Sequence, residues 1–593
     1  MPGTQSQTVH IGEVAEGILA TMKLAGVDHL WLVSGNDLTC FQEAAVKARH
    51  VGNPSPAIMT MIHEHVALCV AMGESMMTGS PAAVAAHVDV GLLHFGGAIH
   101  NAAKGRYPIL MITGYPATSR DLRTIPVFWK QQRWDQAAIV RQYVKWDYRM
   151  SVHDDPALTT ARALQVSLTP PTGPSYLVVP KEVGSHKLER TIRVPTPESL
   201  GVPRLGPGPR DWLSRAAHHL LAAERPLIVT DRLGRDVAAV EALSAVAREF
   251  ALAVRATRHR MNIADDHPSR LAAGDVSSSG VAESDALVNI GNADAILVIE
   301  QEIPWIPARE QPSPDTWVGV LGADPASLET PIYEFPAAER VVGGAAIFLQ
   351  ELAEEMRHLR KPHHSTMIEN RWRAFEAESA RRLSEREEMG AKGVSPISPG
   401  FLAWALNMVL RPEDVLTWEM TDTNGVVRSA VNTLFDSGGS SLGWAVAAAV
   451  GAQMADPGRF AACLTGDGSY VFGSPTALLW TQTQYDAPVL TVIANNRGYR
   501  TGTVRLVEDY PDGYAARHID LTGGIFDPPP DFAAQAEAAG GFGRKVLTRT
   551  ELIDALRAAR VAVEKERRPA VVDVWLPAHV TGEHPSQTAS EAE

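Results

Sequence analysis

Thr465-Gly466-Asp467-Gly468-Ser469-Tyr470, a stretch of helical pattern opening at Ser474-Pro475 and running to Tyr485, an apolar run at 489–494, and Asn495-Asn496-Arg497-Gly498-Tyr499 follow one another late in the chain. An Asp flanked by glycines at the end of a strand turns tightly and presents its carboxylate, and the glycines let a bulky anion approach the backbone. Such a turn suits a hard cation. Magnesium prefers oxygen ligands and commonly bridges one or two protein carboxylates or carbonyls to phosphates. Ser474 reads as an N-cap and Pro475 as the first helical residue. A strand, helix, strand crossover brings both strand C-terminal ends to one side of a parallel sheet, so the Asn pair lands beside Asp467 by topology. Either motif alone is more often a plain turn. With an apolar strand leading into each, the two read as one site.

The same alternation extends outward. Further strands are expected at 415–418, 460–464 and 570–575, within a unit covering 395–580. An N-terminal unit, 8–190, has apolar runs at 29–33, 57–62, 82–88, 109–113 and 176–179, with helical patterns at 37–47 and 66–77. A central unit, 210–355, has strands at 227–230, 295–299 and 317–321. Strands alternating with helices imply doubly wound parallel sheets, hence an α/β protein of three such domains, the first and third of which could be one fold type used twice. The Pro/Gly-rich stretch 194–209 reads as a linker, and the charged stretch 354–388 as an exposed helical connector.

Bulk properties narrow the function classes. The chain has 593 residues, too many for one core, with 45% hydrophobic and 21% charged residues, an ordinary globular composition. Its 54 basic and 68 acidic residues give a net charge of -14, which indicates neither a nucleic-acid surface nor attraction to anionic membranes. Cys40, Cys69 and Cys463 stand in unrelated contexts, so neither a disulfide framework nor a zinc knuckle is expected. No apolar run is long enough to span a bilayer and no targeting pattern opens the chain, so a cytoplasmic protein is the default expectation.

Gly-Asp-Gly, a gap of 26 residues (Ser469 to Ala494) and Asn-Asn resembles the signature of thiamine-diphosphate enzymes of the acetolactate synthase, pyruvate decarboxylase and benzoylformate decarboxylase group. The resemblance covers nearly the whole chain. It implies pyrimidine-binding, central and diphosphate-binding domains, with thiamine diphosphate and Mg2+ as cofactors. Asp467, the Asn496 side chain and the Gly498 carbonyl would hold the metal. The gap is longer than in the best-known members, which leaves Asn495 as the alternative to Asn496. Gly466, Gly468, Ser469 and Tyr499 would border the cofactor. In this family a glutamate on the distal pyrimidine nitrogen favours the imino tautomer that lets the cofactor deprotonate itself. Met61-Ile62-His63-Glu64-His65 stands where it belongs, which makes Glu64 the expected activator. A zinc-protease reading fails, since His-Glu-x-x-His needs histidine where Ala67 stands. A Glu in the first helical turn could also be a simple cap.

In Ser437-Gly438-Gly439-Ser440-Ser441-Leu442-Gly443-Trp444, Leu442 matches the aliphatic wedge over which family members hold the cofactor bent, with Gly439 and Ser440 beside it. Trp418-Glu419-Met420-Thr421 resembles the run that presents hydroxyls and amides to the diphosphate, so Thr421 is a cofactor candidate. The central unit lacks Gly-x-Gly-x-x-Gly, so FAD is not expected. Phe128-Trp129-Lys130-Gln131-Gln132 resembles an acetolactate synthase-like subgroup, and His87, Phe128, Gln131 and Gln132 are candidates for the substrate wall. The reaction-defining segments diverge: Tyr499 to Arg505, and His87-Val88-Asp89-Val90-Gly91, match neither named enzyme. The expectation is a carbon–carbon lyase or carboligase acting on a 2-oxo acid. Alternatives are non-decarboxylating cleavage of a 2-hydroxyacyl-CoA or diketone, and a non-catalytic paralogue that binds cofactor. Small-molecule substrates, and a homodimer or homotetramer with active sites between chains, are implied by the resemblance.

Overall fold

The computed structural model describes residues 6–257, 259–271, 287–391, 396–420 and 425–578. Three parallel sheets carry the chain, as the alternation of apolar runs and helices requires. The N-terminal sheet is ordered Ala57–Thr60, His29–Leu32, Ala82–Ala86, Ile109–Tyr115, Ser175–Pro180, Asp147–Arg149. The C-terminal sheet is ordered Leu434–Phe435, Val415–Glu419, Ala461–Gly466, Leu490–Asn495, Ala570–Trp575, Phe542–Val546. Numbered along the chain, both read 2-1-3-4-6-5, so one topology is used twice. The central sheet adds Ala253–Ala256, Pro226–Thr230, Ala295–Ile299, Trp317–Gly322 and Glu339–Val342, in the order 2-1-3-4-5. Inner strands such as Ala82–Ala86 and Leu490–Asn495 are buried along their whole length. That is the near-continuous apolar pattern of a parallel sheet covered on both faces.

The strands that the apolar runs did not announce are short and mostly marginal. Phe542–Val546 and Glu339–Val342 carry charges because an edge strand keeps water on one side. A separate antiparallel ribbon pairs Ser6–Glu13 with Lys187–Pro195. Its second strand ends at Val194 and Pro195, so the Pro/Gly-rich stretch is not wholly a linker. Gly206 within it also accepts a hydrogen bond from the Gly344 N–H at 2.8 Å, which fastens it to the central domain. The charged connector is two helices, Ala345–Leu359 and the 30-residue Pro362–Ala391. The break falls where the residue before Pro362 is steered away from helical backbone. Ser474 stands at the N-cap of Pro475–Gln484, but it has φ 56° and makes no side-chain cap, which corrects the capping role expected of it.

The N- and C-terminal units meet along two helices. Glu64–Thr78 and Ala445–Ala455 are buried over nearly all their length and share one hydrophobic core with both sheets. They touch backbone to backbone: a methyl group on Gly73 would collide with the Ala448 carbonyl, and one on Gly451 with the Val70 carbonyl. Overpacking a filled core costs about 1–3 kcal/mol, sometimes more. Gly451→Val is therefore expected to destabilise the protein by at least that amount in chemical denaturation, whereas Val561→Ala, at a side chain 49% exposed, should change little.

Candidate active site

The strand Ala461–Gly466 runs directly into the short helix Asp467–Phe472. Asp467 is 2% exposed. Its carboxylate accepts the Gly468 N–H at 3.0 Å and the Gly498 N–H at 2.9 Å, which ties the two turns together across the crossover. Burial pushes the Asp467 carboxyl up to about 6 although the backbone donors of Gly498 and Gly468 oppose the shift. The two asparagines have separate roles. Asn495 is buried, donates to Asp573 at 2.8 Å and accepts from the Arg497 N–H at 3.0 Å. The Asn496 side chain has no hydrogen-bond partner among the described residues. A methyl group on Gly498 would strike the Gly524 carbonyl, so only glycine fits there. Its own carbonyl accepts the Arg500 N–H at 3.1 Å and keeps a second lone pair.

Around these turns, a Cβ on Gly466 would meet nothing within 4 Å, and Gly468 lies under the Tyr499 ring. Tyr499 packs edge-on against Phe526 at 4.9 Å and stays 37% exposed. Ser469 is 7% exposed. Arg497 lies 4.7 Å over the Trp575 ring. The buried Asp467 carboxylate, which has no cationic partner among the described residues, the Asn496 carboxamide and the second lone pair of the Gly498 carbonyl offer oxygen donors of the kind that suits magnesium. Among the described residues no group of three or more His, Cys, Asp or Glu is placed to hold a metal.

The glycine-rich turn lies against the N-terminal unit. Asn101 donates to the Ser441 carbonyl at 2.8 Å and accepts the Ser441 N–H at 3.0 Å. Ser440 Oγ meets His100 Nε2 at 3.1 Å, and Gly439 packs against Asn101. Leu442 precedes Gly443, whose φ of +93° only glycine adopts freely. The Gly443 carbonyl contacts His65 Nε2 at 3.2 Å. Glu64, the next residue back, is the first of its helix, and its Oε1 lies where a Cβ on Gly91 would be 3.2 Å away. Glu64 and Leu442 thus approach each other through one residue on either side, His65 and Gly443.

His87 stands at the end of Ala82–Ala86. Its Nδ1 is in short contact with Asp37 Oδ1, and Asp37 also accepts the Val88 N–H at 3.1 Å. Burial alone would lower the His87 pKa, but the Asp37 hydrogen bond and charge, with the Asp89 and Glu64 carboxylates, raise it above the ordinary imidazole value. The Gln131 carboxamide nitrogen lies 2.7 Å from His87 Nε2, and the Gln131 oxygen has no partner among the described residues. Turned over, that oxygen would accept the Nε2 proton of a doubly protonated ring. Gln132 is exposed, and Phe128 is buried under Lys181 Nζ at 5.4 Å, so its ring packs instead of lining open surface. Thr421 lies outside the described residues. Sequence reasoning missed Asp37, Asn101 and the carboxylate of Glu419. Each acts through partners tens to hundreds of residues away, and no local spacing marks them.

Residues 12–139 match the N-terminal TPP binding domain of thiamine pyrophosphate enzymes, and residues 421–574 match the C-terminal TPP binding domain. Oxalyl-CoA decarboxylase of Escherichia coli (strain K12) is 26% identical, covering 96% of this chain and 97% of the relative. Benzoylformate decarboxylase of Pseudomonas aeruginosa is 25% identical over 86% and 90%. The structure of the thiamine diphosphate-dependent 4-hydroxybenzoylformate decarboxylase of Rhodococcus jostii RHA1 superposes with a TM-score of 0.73 at 21% identity, covering 96% and 100%. With both cofactor-binding domains matched and the whole fold shared, the chain belongs to the thiamine pyrophosphate enzymes.

Proposed function

We propose that this enzyme cleaves or forms the carbon–carbon bond next to the carbonyl of a 2-oxo acid, using thiamine diphosphate anchored through Mg2+. When bound, the cofactor supplies a carbon nucleophile for the substrate carbonyl and an electron sink for the bond that breaks. The observation that carries the reading is the convergence of Glu64, the Asp37–His87 pair and the Leu442 turn at one junction of the N- and C-terminal units. Asp467, the Asn496 carboxamide and the Gly498 carbonyl would hold the metal and, through it, the diphosphate. Gly466, Gly468, Ser469 and Tyr499 give that end its shape and cover, and Gly439, Ser440 and Leu442 support the rings. Glu64 would share a proton with the pyrimidine nitrogen. His87, held by Asp37 on Nδ1, keeps a proton on Nε2 for delivery to substrate or product, and Gln131 holds that ring edge.

Exposed apolar side chains border this junction, among them Leu93 at 57% and Phe472 at 54%. Such surface calls for cover, which supports a homodimer or larger assembly. A second reading is an acyl-CoA substrate, favoured by the end-to-end match to oxalyl-CoA decarboxylase. Assaying carbon dioxide release from aliphatic, aromatic and acidic 2-oxo acids, alongside acyl-CoA thioesters, tests both. Turnover of thioesters alone would overturn the first reading.

Glu64→Gln is expected to lower kcat by about 10²-fold or more, the scale of a lost proton-transfer group, while the purified protein still retains thiamine diphosphate. Dialysis against a chelator should release the cofactor, and added Mg2+ should restore binding to the native protein but not to Asp467→Ala. For His87 the sign follows from its raised pKa. The protonated ring is the donor, so activity falls as pH rises through that pKa. Asp37→Asn removes the group that raises it and should move this basic limb of the pH–rate profile to lower pH.

A further inference from the structure

Glu419 ends the strand Val415–Glu419, in register with Thr465, two residues before Asp467. Its two carboxylate oxygens reach across to the turn after Leu442: Oε1 accepts the Gly443 N–H at 2.7 Å and Oε2 the Ala445 N–H at 2.9 Å. The Trp444 N–H acts on the carboxylate in the same direction. Gly443 is confined on its other side as well, because any Cβ there would lie 2.6 Å from Phe472 C and Gly473 N.

We propose that Glu419 is a positioning residue: its carboxylate clamps the 442–444 turn, and its protonation loosens the turn and weakens thiamine diphosphate binding. This rests on the placement of the cofactor over Leu442 proposed above. Each carboxylate oxygen accepts a backbone N–H, so a proton on either one makes it a weaker acceptor and loosens the bond it holds. Glu419 makes no ion pair among the described residues. The titratable groups around it are Asp436, which adds negative charge, Cys69 and Cys463, which burial keeps as neutral thiols, and His65, which burial keeps neutral at neutral pH. Burial pushes the Glu419 carboxyl up to about 7 despite the three backbone donors. The clamp therefore releases near neutrality instead of at the pH where an exposed glutamate would titrate.

The linkage has a definite sign. A carboxyl whose pKa is raised by folding contributes stability that is full below its unfolded value and is lost as pH rises through about 7. The clamped, ionised form is the functional one and the less stable one. Two measurements on the full chain test this. In cofactor-free wild-type protein, hydrogen exchange of the peptide carrying the Gly443 and Ala445 amides should show protection, corrected for intrinsic rates, falling about tenfold from pH 8 to pH 6, as the ionised fraction drops from about nine-tenths to one-tenth. Unchanged protection would overturn the clamp without any variant being made.

In Glu419→Gln, thiamine diphosphate titrated with excess Mg2+ and followed by tryptophan fluorescence should bind at least tenfold more weakly at pH 8 than in wild type. The difference in Tm, variant minus wild type, should rise from pH 5.5 to pH 8, a trend that loss of a merely structural hydrogen bond would not produce. Wild-type affinity in this variant, or a Tm difference that does not change with pH, would overturn the proposal. Leu442→Ala serves as the control on cofactor placement. If it leaves thiamine diphosphate affinity unchanged while Glu419→Gln weakens it, the cofactor does not rest on Leu442 and the error lies in the placement, not in the clamp.

Discussion

Contact between the helices Glu64–Thr78 and Ala445–Ala455 fixes the N- and C-terminal units against each other. Gly73 and Gly451 remove the side chains that would keep the helices apart, and the backbones close onto each other. Each helix begins at the junction: one opens with Glu64, and the other follows directly on Leu442, Gly443 and Trp444. Their packing therefore sets how far Glu64 stands from Leu442. A core packed to the density of an organic solid transmits a displacement instead of absorbing it, so a side chain at the crossing would be felt at the helix starts, where Glu64 and Leu442 stand.

The repeated sheet topology explains where the chemistry collects. In an open parallel sheet, ligands lie outside the strand C-terminal ends where the strand order reverses. In the N-terminal sheet that point falls between His29–Leu32 and Ala82–Ala86, and the residues just beyond these strands include Asp37 and His87. In the C-terminal sheet it falls between Val415–Glu419 and Ala461–Gly466, which end in Glu419 and the Asp467 turn. One topology thus gathers polar groups at the strand ends of both units, the Asp37–His87 pair in one and the Glu419 and Asp467 carboxylates in the other. The division of labour comes from the few residues after each strand, not from the sheets.

Much of this was legible in the sequence, for particular reasons. Long inner strands announce themselves because burial on both faces makes them continuously apolar, and the two turns from Gly466 to Gly498 read as neighbours because one crossover joins them. The edge strands were not legible, since they are short and half-polar. Asp37 and His87 are 50 residues apart, and the pair exists only because two strands are neighbours in the sheet. Glu419 stands in a run whose local sequence points to hydroxyls and amides, and its partners Gly443 and Ala445 lie beyond the intervening strand Leu434–Phe435. Asn495 and Asn496 could not be told apart by spacing. Only the contact with Asp573, 78 residues away, shows that Asn495 is already engaged.

The junction also has a consistent electrical character. Asp467 and Glu419 are both carboxyls that burial pushes upward, both are held by main-chain N–H groups, and neither makes an ion pair among the described residues. Taking a carboxylate out of water without a counter-charge is costly, and backbone dipoles offset only part of that cost. At Asp467 the missing positive charge is what the proposed divalent cation would bring, so on that reading metal binding would relieve a buried charge. At Glu419 no cation is due, and the charge persists only while the turn offers its N–H groups. The two carboxyls, at the ends of adjacent strands, are thus both held by the main chain: Asp467 by the turns that carry Gly468 and Gly498, and Glu419 by the turn after Leu442.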